Sequence, residues 1–279
     1  MSICIHPCLW FDGNAREAAE LYCSVFENSS IKSENPFVVM FDILGQTFMG
    51  LNGGPTHKIN PSISFMVTYH NEAEIKKAWE ILSKNGSILM PLDKYDWSEC
   101  YGWVQDKFGV NWQFYLGEKQ DSEQSISPTL MFVGEQNGKT EKAINYYTSL
   151  FENSNIQGIL KYSAEDDDTE GNVKHGQFSL NGYTMMAMDS SADHKFQFNE
   201  GVSIVVTCDT QKEIDHYWDK LIVGGREGRC GWLKDQFGVS WQIVPRILGE
   251  LMSDPEKSAG VVDAFMKMSK FDIEKLRNA

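Results

Sequence analysis

The sequence has no apolar run near the roughly 20 residues that a bilayer span needs, and residues 1–11 show neither a basic start nor a long apolar core. No membrane is expected, and the expected location is the cytoplasm. Basic charge is scarce: 25 Lys and Arg against 39 Asp and Glu leave a net charge of −14. Nucleic acid and anionic lipid surfaces reward Lys/Arg stripes, and no basic run exists, so nucleic acid is not an expected partner. No CxxC pair occurs; Cys4, Cys8, Cys23, Cys100, Cys208 and Cys230 are scattered through a chain too large to need stapling, and read as reduced thiols. A G-x-S-x-G nucleophile elbow is absent, and no pair of carboxylates stands out for acid/base work. The acidic run Glu165–Glu170 lacks EF-hand ligand spacing and reads as a solvated hairpin tip.

What the sequence does contain is a repeat. Gly102-Trp103-Val104-Gln105-Asp106-Lys107-Phe108-Gly109-Val110-Asn111-Trp112-Gln113 returns as Gly231-Trp232-Leu233-Lys234-Asp235-Gln236-Phe237-Gly238-Val239-Ser240-Trp241-Gln242, identical at eight of twelve positions. Asp followed three residues later by Gly between apolar runs predicts strand, turn, strand. Trp and Gln adjoin in the final strand, so they must face opposite sides of a sheet. Tyr22–Ile31 matches Tyr147–Ile156 at an offset of 125, and Ser64 and Trp79 match Ser203 and Trp218 at 139. The chain therefore reads as two domains, each of two βαβββ units. The first spans residues 1–118, a polar linker 119–127, the second domain 128–247, and a tail 248–279 whose Val261, Ala264, Phe265, Met268 and Leu276 fall at near-helical spacing. A helix from Arg16 to Phe26 with Asn14 or Asp12 as cap, and another from Asn71 to Leu82 ended by Asn85-Gly86, fit the same pattern. Insertions distinguish the copies: about twelve residues around the acidic run in copy two, and ten around 88–99 in copy one.

Pro7-Cys8-Leu9-Trp10-Phe11-Asp12-Gly13-Asn14-Ala15, Leu51-Asn52-Gly53-Gly54-Pro55, Met90-Pro91-Leu92-Asp93-Lys94-Tyr95 and the two hairpins resemble the PhnB-like family, the 3-demethylubiquinone-9 3-methyltransferase domain of the vicinal oxygen chelate (glyoxalase/bleomycin-resistance) superfamily. That resemblance implies an α+β fold of paired βαβββ modules in curved mixed sheets around a small-molecule cleft. It also implies that the fused halves pair as a pseudo-dimer, with a further homodimer left open. Enzymes of the superfamily hold a divalent metal on the first, fourth, fifth and eighth strands. Aligned to that pattern, copy one offers His6, Gly50, Ser62 and Gln113, and copy two Ser127, Ala187, Gly201 and Gln242. Only His6 is a strong donor, so no metal and no cofactor is expected. Cys4, His6 and Cys8 share one strand face but span about 13 Å, too far for one ion.

The expected function is binding of a small organic molecule, with His6, Trp10, Ser62, Tyr95, Trp97, Gln113 and Gln242 as candidate contacts and residues 90–99 as a flap. Two alternatives remain: a metal-dependent lyase, isomerase or dioxygenase with its metal around His6 and Gln113, and the methyltransferase that the family description names. Neither Asp12-Gly13-Asn14-Ala15 nor Gly134–Gly138 supplies the glycine-rich turn on which a methyl donor would sit. Whether the protein catalyses a reaction is left open.

Overall fold

The computed structural model describes residues 3–117 and 124–279. Four modules follow one another. The first holds β1 (Cys4–Phe11), α1 (Ala15–Val25), β2 (Ser30–Glu34), β3 (Val38–Ile43) and β4 (Gln46–Asn52). The second holds β5 (Ile63–Tyr69), α2 (Glu72–Leu82), β6 (Ser87–Tyr95), β7 (Ser98–Gln105) and β8 (Asn111–Leu116). The third holds β9 (Ile126–Phe132), a 3₁₀ turn, α3 (Thr140–Leu150), β10 (Asn155–Lys161), β11 (Val173–Leu180) and β12 (Tyr183–Asp189). The fourth holds β13 (Val202–Cys208), α4 (Gln211–Leu221), β14 (Arg226–Glu227), β15 (Trp232–Lys234) and β16 (Ser240–Pro245), followed by tail helices α5 (Ile247–Ser253), α6 (Ser258–Phe265) and α7 (Ile273–Arg277). Residues 119–123 of the expected linker lie outside the described residues, and Ile126 and Ser127 already belong to β9.

The modules form two eight-stranded mixed sheets, ordered β14-β15-β16-β13-β1-β4-β3-β2 and β10-β11-β12-β9-β5-β8-β7-β6. The first joins modules one and four; the second joins modules two and three. The two modules of one half thus never share a sheet, and the sets of candidate ligands read half by half are split between sheets. The reason lies in the repeated hairpin. Asp106 Oδ2 accepts from Tyr22 Oη in α1 and from Trp112 Nε1, both at 2.8 Å, while Oδ1 accepts from the backbone N–H groups of Phe108 and Val110. Asp235 repeats the arrangement with Tyr147 of α3, Trp241, Phe237 and Val239. Each turn is thereby bolted to a helix of the other module in its half, back to back. Trp112, Trp241, Tyr22 and Tyr147 are fully buried at these junctions.

Both sheets are rolled. Tyr101 and Trp103 of β7 share one buried cluster with Met131 of β9 and the adjoining Val133, although three strand spacings on a flat sheet would part the strands by about 14 Å. In the first sheet the Trp10 and Trp232 rings approach to 5.9 Å across three spacings. Helices pack on one face of each sheet, and the other face becomes the inside of a cup.

Some local expectations change. The N-terminus of α1 receives no side-chain bond from Asn14; Asn52 Oδ1 accepts from Ala15 N instead, at 3.0 Å. The copy-one insertion is not a loop but the outer part of the β6–β7 hairpin. The acidic run does occupy the tip between β10 and β11, where Asp166 pairs with Lys174 and Asp168 accepts from Ser191 N. The tail docks through buried Val261, Phe271 and Leu276, with Met268 O and Ser269 O accepting from Cys230 N and Gly231 N at 2.8 Å.

Candidate functional site

Strand register decides which candidates meet. In the first cup, Cys8 stands opposite Ser203, and His6 opposite Val205, which is beside Gln242. In the second, Thr129 stands opposite Ser64, and Ser127 opposite Met66, which is beside Gln113. His6, Trp10 and Gln242 therefore belong to one cup, and Ser62, Tyr95, Trp97 and Gln113 to the other. A centre built on His6 and Gln113 together is excluded by this separation.

The first cup is narrow at its mouth. Trp10 Nε1 donates to Gly54 O at 2.7 Å, and the ring lies against Gly53, where an added Cβ would sit 2.2 Å from the indole. His57 meets Trp10 edge-on at 4.7 Å. Outside it, Glu200 faces Lys234 at 3.0 Å and His57 at 3.5 Å. On the floor, Gln242 Nε2 donates to Ser203 Oγ at 3.0 Å. His6 is buried, with Cys4 Sγ 3.9 Å from its Nδ1. Burial, helped by Arg246, lowers the His6 pKa to about 4, so its imidazole is neutral at pH 7.

The second cup has a different floor. Gln113 Nε2 donates to Ser64 Oγ at 2.6 Å, and Tyr101 Oη donates to Gln113 Oε1 at 2.7 Å. Tyr101 has no counterpart in the first cup: Cys230 holds that position at φ +56° and turns its thiol to the tail, 3.7 Å from Phe265 O. Above this floor Tyr101, Trp103, Met131 and Val133 form an apolar cluster, joined by Met66, Met188 and Phe196. Tyr95 and Trp97, on the extended hairpin, stack on one another at 4.9 Å and meet Tyr101 edge-on. Toward β10 and β11 the cup opens into a depression of about 370 Å³ lined by residues that include Gly158, Leu160, His175 and Gln177. Burial lowers the pKa of His175 as well. Ser62 lies just before β5 opposite Met131, its backbone N–H bonded to Asn60 Oδ1.

Neither cup fits the superfamily's metal. Gly50 falls on the helix face, where a Cβ would stand 3.1 Å from Ala15, and Ala187 is likewise buried with the core. Among the described residues no three His, Cys, Asp or Glu side chains gather as a donor set. Amide and hydroxyl groups are feeble donors beside imidazole and carboxylate.

Sequence reasoning overlooked Ser64, Ser203, Tyr101, Trp103 and Thr129 as cup residues. The signal for the serines was present, since both copies keep Ser at the same register one residue out of phase with core positions.

The family model described as 3-demethylubiquinone-9 3-methyltransferase matches residues 4–115 and again 124–244. A PhnB protein from Bacillus cereus, described as a 3-demethylubiquinone-9 3-methyltransferase, is 35% identical over 39% of this chain and 96% of its own, with a TM-score of 0.37. A protein from Staphylococcus aureus is 34% identical over 42% of this chain and 100% of its own, with a TM-score of 0.20. Maize glyoxalase I, 11% identical, shares the fold over 90% of this chain and 96% of its own at a TM-score of 0.59. No curated protein matches the chain.

Proposed function

This chain belongs to the 3-demethylubiquinone-9 3-methyltransferase family, and from that premise we propose that it binds a small organic molecule in the second cup, without a resident metal. The observation that carries this reading is the Tyr101–Gln113–Ser64 hydrogen-bonded chain set in a wall of methionine and aromatic side chains and opening toward the depression at His175 and Gln177. A concave apolar wall with a few fixed polar groups is what small-molecule recognition requires. Met66, Met131 and Met188 add an adaptable surface.

Methyl transfer is disfavoured by the helix N-termini. A nucleotide-like donor needs exposed N–H groups after a strand. Asn52 accepts from Ala15 N at the start of α1, and Asp189 accepts from Gly138 N and Thr140 N at the start of α3.

The test is calorimetric titration of metal-stripped protein with 1-tetralone, a neutral bicyclic ketone, in wild type and Met188→Arg, the variant's fold being checked by circular dichroism. Saturable binding that survives chelator and disappears in Met188→Arg supports the reading. Binding that needs added metal, or that Met188→Arg leaves intact, sinks it, as does no binding at all.

A further inference from the structure

Buried polar atoms in folded proteins nearly always have partners, so each exception calls for an explanation. All three buried side-chain polar atoms without one among the described residues, Asn111 Oδ1, Trp103 Nε1 and Thr129 Oγ1, belong to inward positions of the second cup, Asn111 at the end of β8 and the other two at the cup's centre. Trp103 is 9% exposed and Thr129 3%. They flank the Gln113–Ser64 pair on either side: Trp103 stands opposite Gln113, and Thr129 opposite Ser64. Continuing outward, Met186 lies beside Thr129, and Gln177 beside Met186, at the depression. One line of side chains, stepping diagonally from Gln113 of β8 to Ser64 of β5, thus runs from an unpaired indole N–H through an internally satisfied amide and hydroxyl to an unpaired hydroxyl and then to open space.

The charges are as informative as the hydrogen bonds. The inward positions of β11, β12, β9, β5 and β8 carry Gln, Ser, Thr, Met, Tyr, Asn and neutral His, and none carries Asp, Glu, Lys or Arg; on β7 the charge in phase with Tyr101 and Trp103 is Glu99, at the exposed outer end and paired with Lys94. A charged ligand would leave water there with no counter-charge to meet it, a cost that a few neutral dipoles do not offset. Indole N–H only donates, whereas a threonine hydroxyl both donates and accepts.

Resting on the reading that this cup binds a small molecule, we infer that its ligand is an uncharged, ring-bearing compound whose carbonyl-type oxygen accepts from Trp103 Nε1 and whose second polar group meets Thr129. The ring lies against Met131, Met188 and Phe196, and the rest of the molecule extends toward Gln177.

The discriminating experiment compares 1-tetralone with tetralin, which lacks the carbonyl, and with 1-naphthoate, which adds a charge, by calorimetry on wild type, Trp103→Phe and Thr129→Val. The expected result is tetralone binding at least about tenfold tighter than tetralin, with naphthoate not binding, since a site with an unpaired donor rejects an analogue that cannot satisfy it. Trp103→Phe should weaken tetralone about three- to tenfold and leave tetralin unchanged. Thr129→Val, nearly isosteric, should weaken 4-hydroxy-1-tetralone, which carries a second polar group, about three- to tenfold relative to 1-tetralone, and the absence of such a loss overturns the Thr129 contact; circular dichroism of both variants guards against a folding defect. Equal affinity for tetralone and tetralin, tightest binding of naphthoate, or a ratio unmoved by Trp103→Phe overturns the ligand class while leaving the cup a binding site. Failure of all the compounds to bind defeats the binding reading itself.

Discussion

Tyr147→Phe deletes a single oxygen, and its effect should depend on pH in a way that identifies what that oxygen does. Asp235 is 3% exposed and takes four hydrogen bonds, the shortest from Tyr147 Oη at 2.6 Å. Burial raises its pKa from 3.8 to about 6 against the pull of those donors. A raised carboxyl holds its proton more tightly in the native state than in the unfolded chain. Its contribution to stability is therefore fully present below about pH 4 and is lost as pH climbs through 6, a change of about two units or 3 kcal/mol. Removing the phenol withdraws a donor that favours the charged form, so the native pKa rises further. At pH 8 the variant should lose about 1.5–3 kcal/mol, the worth of a hydrogen bond to a charge, and at pH 5 only about 0.5–1.5 kcal/mol. Urea unfolding of both proteins at the two pH values measures this, and the difference between proteins cancels every other titrating group. A penalty equal at both pH values, or larger at pH 5, refutes the account of Asp235 as a buried charge stabilised by its donors. Tyr22→Phe should behave with the same sign, because burial raises Asp106 too.

Gly231→Ala should destabilise by about 2–4 kcal/mol, since it adds backbone strain to overpacking: φ is +80° and the new Cβ would lie 2.4 Å from the Phe271 ring. Gly249→Ala, in α5 with open space around it, should instead stabilise by about 0.5–1 kcal/mol; thermal unfolding of the pair checks both signs. Burial pushes Cys8 and Cys208 up to about 12, and Cys100 is 3% exposed. A thiol-disulfide dye at pH 8 should therefore react with no more than Cys4, Cys23 and Cys230 until denaturant is added, and a fourth reactive thiol in the native protein would contradict the packing.

Much of this architecture is local and so was legible in the sequence. The Asp-to-Gly turn, the opposition of Trp112 to Gln113, the cap at Asn71 and the left-handed Asn85 follow from short-range pattern and backbone sterics. The choice of strand partner is not local. Alternation puts Cys4, His6 and Cys8 on one face but says nothing of whether β5 or β13 lies beside them, and that choice separates His6 from Gln113. The same limit hid Asn52 as the partner of α1, 37 residues from the N–H it accepts. Trp103 was visible as half of a repeat, yet its unpaired N–H is a property of surroundings supplied by other strands and a loop distant in the chain.

The nesting of the sheets has a consequence for the chain as it leaves the ribosome. The second sheet is drawn from one contiguous stretch, 63–189, whereas the first closes only when Cys8 meets Ser203, 195 residues later. Until β13 has been made, β1 has a partner in β4 on one side and presents a bare edge on the other. Pro7 lies in the middle of that strand, opposite Ile204, and Pro128 takes the matching place in β9 opposite Phe65. In a finished central strand a proline only removes a donor. Here the donor removed would have faced β4: Trp10 N donates to Gly201 O on the β13 side, so the alternate N–H groups of Cys8 and His6 face the waiting edge. That edge stays an open template until β13 arrives.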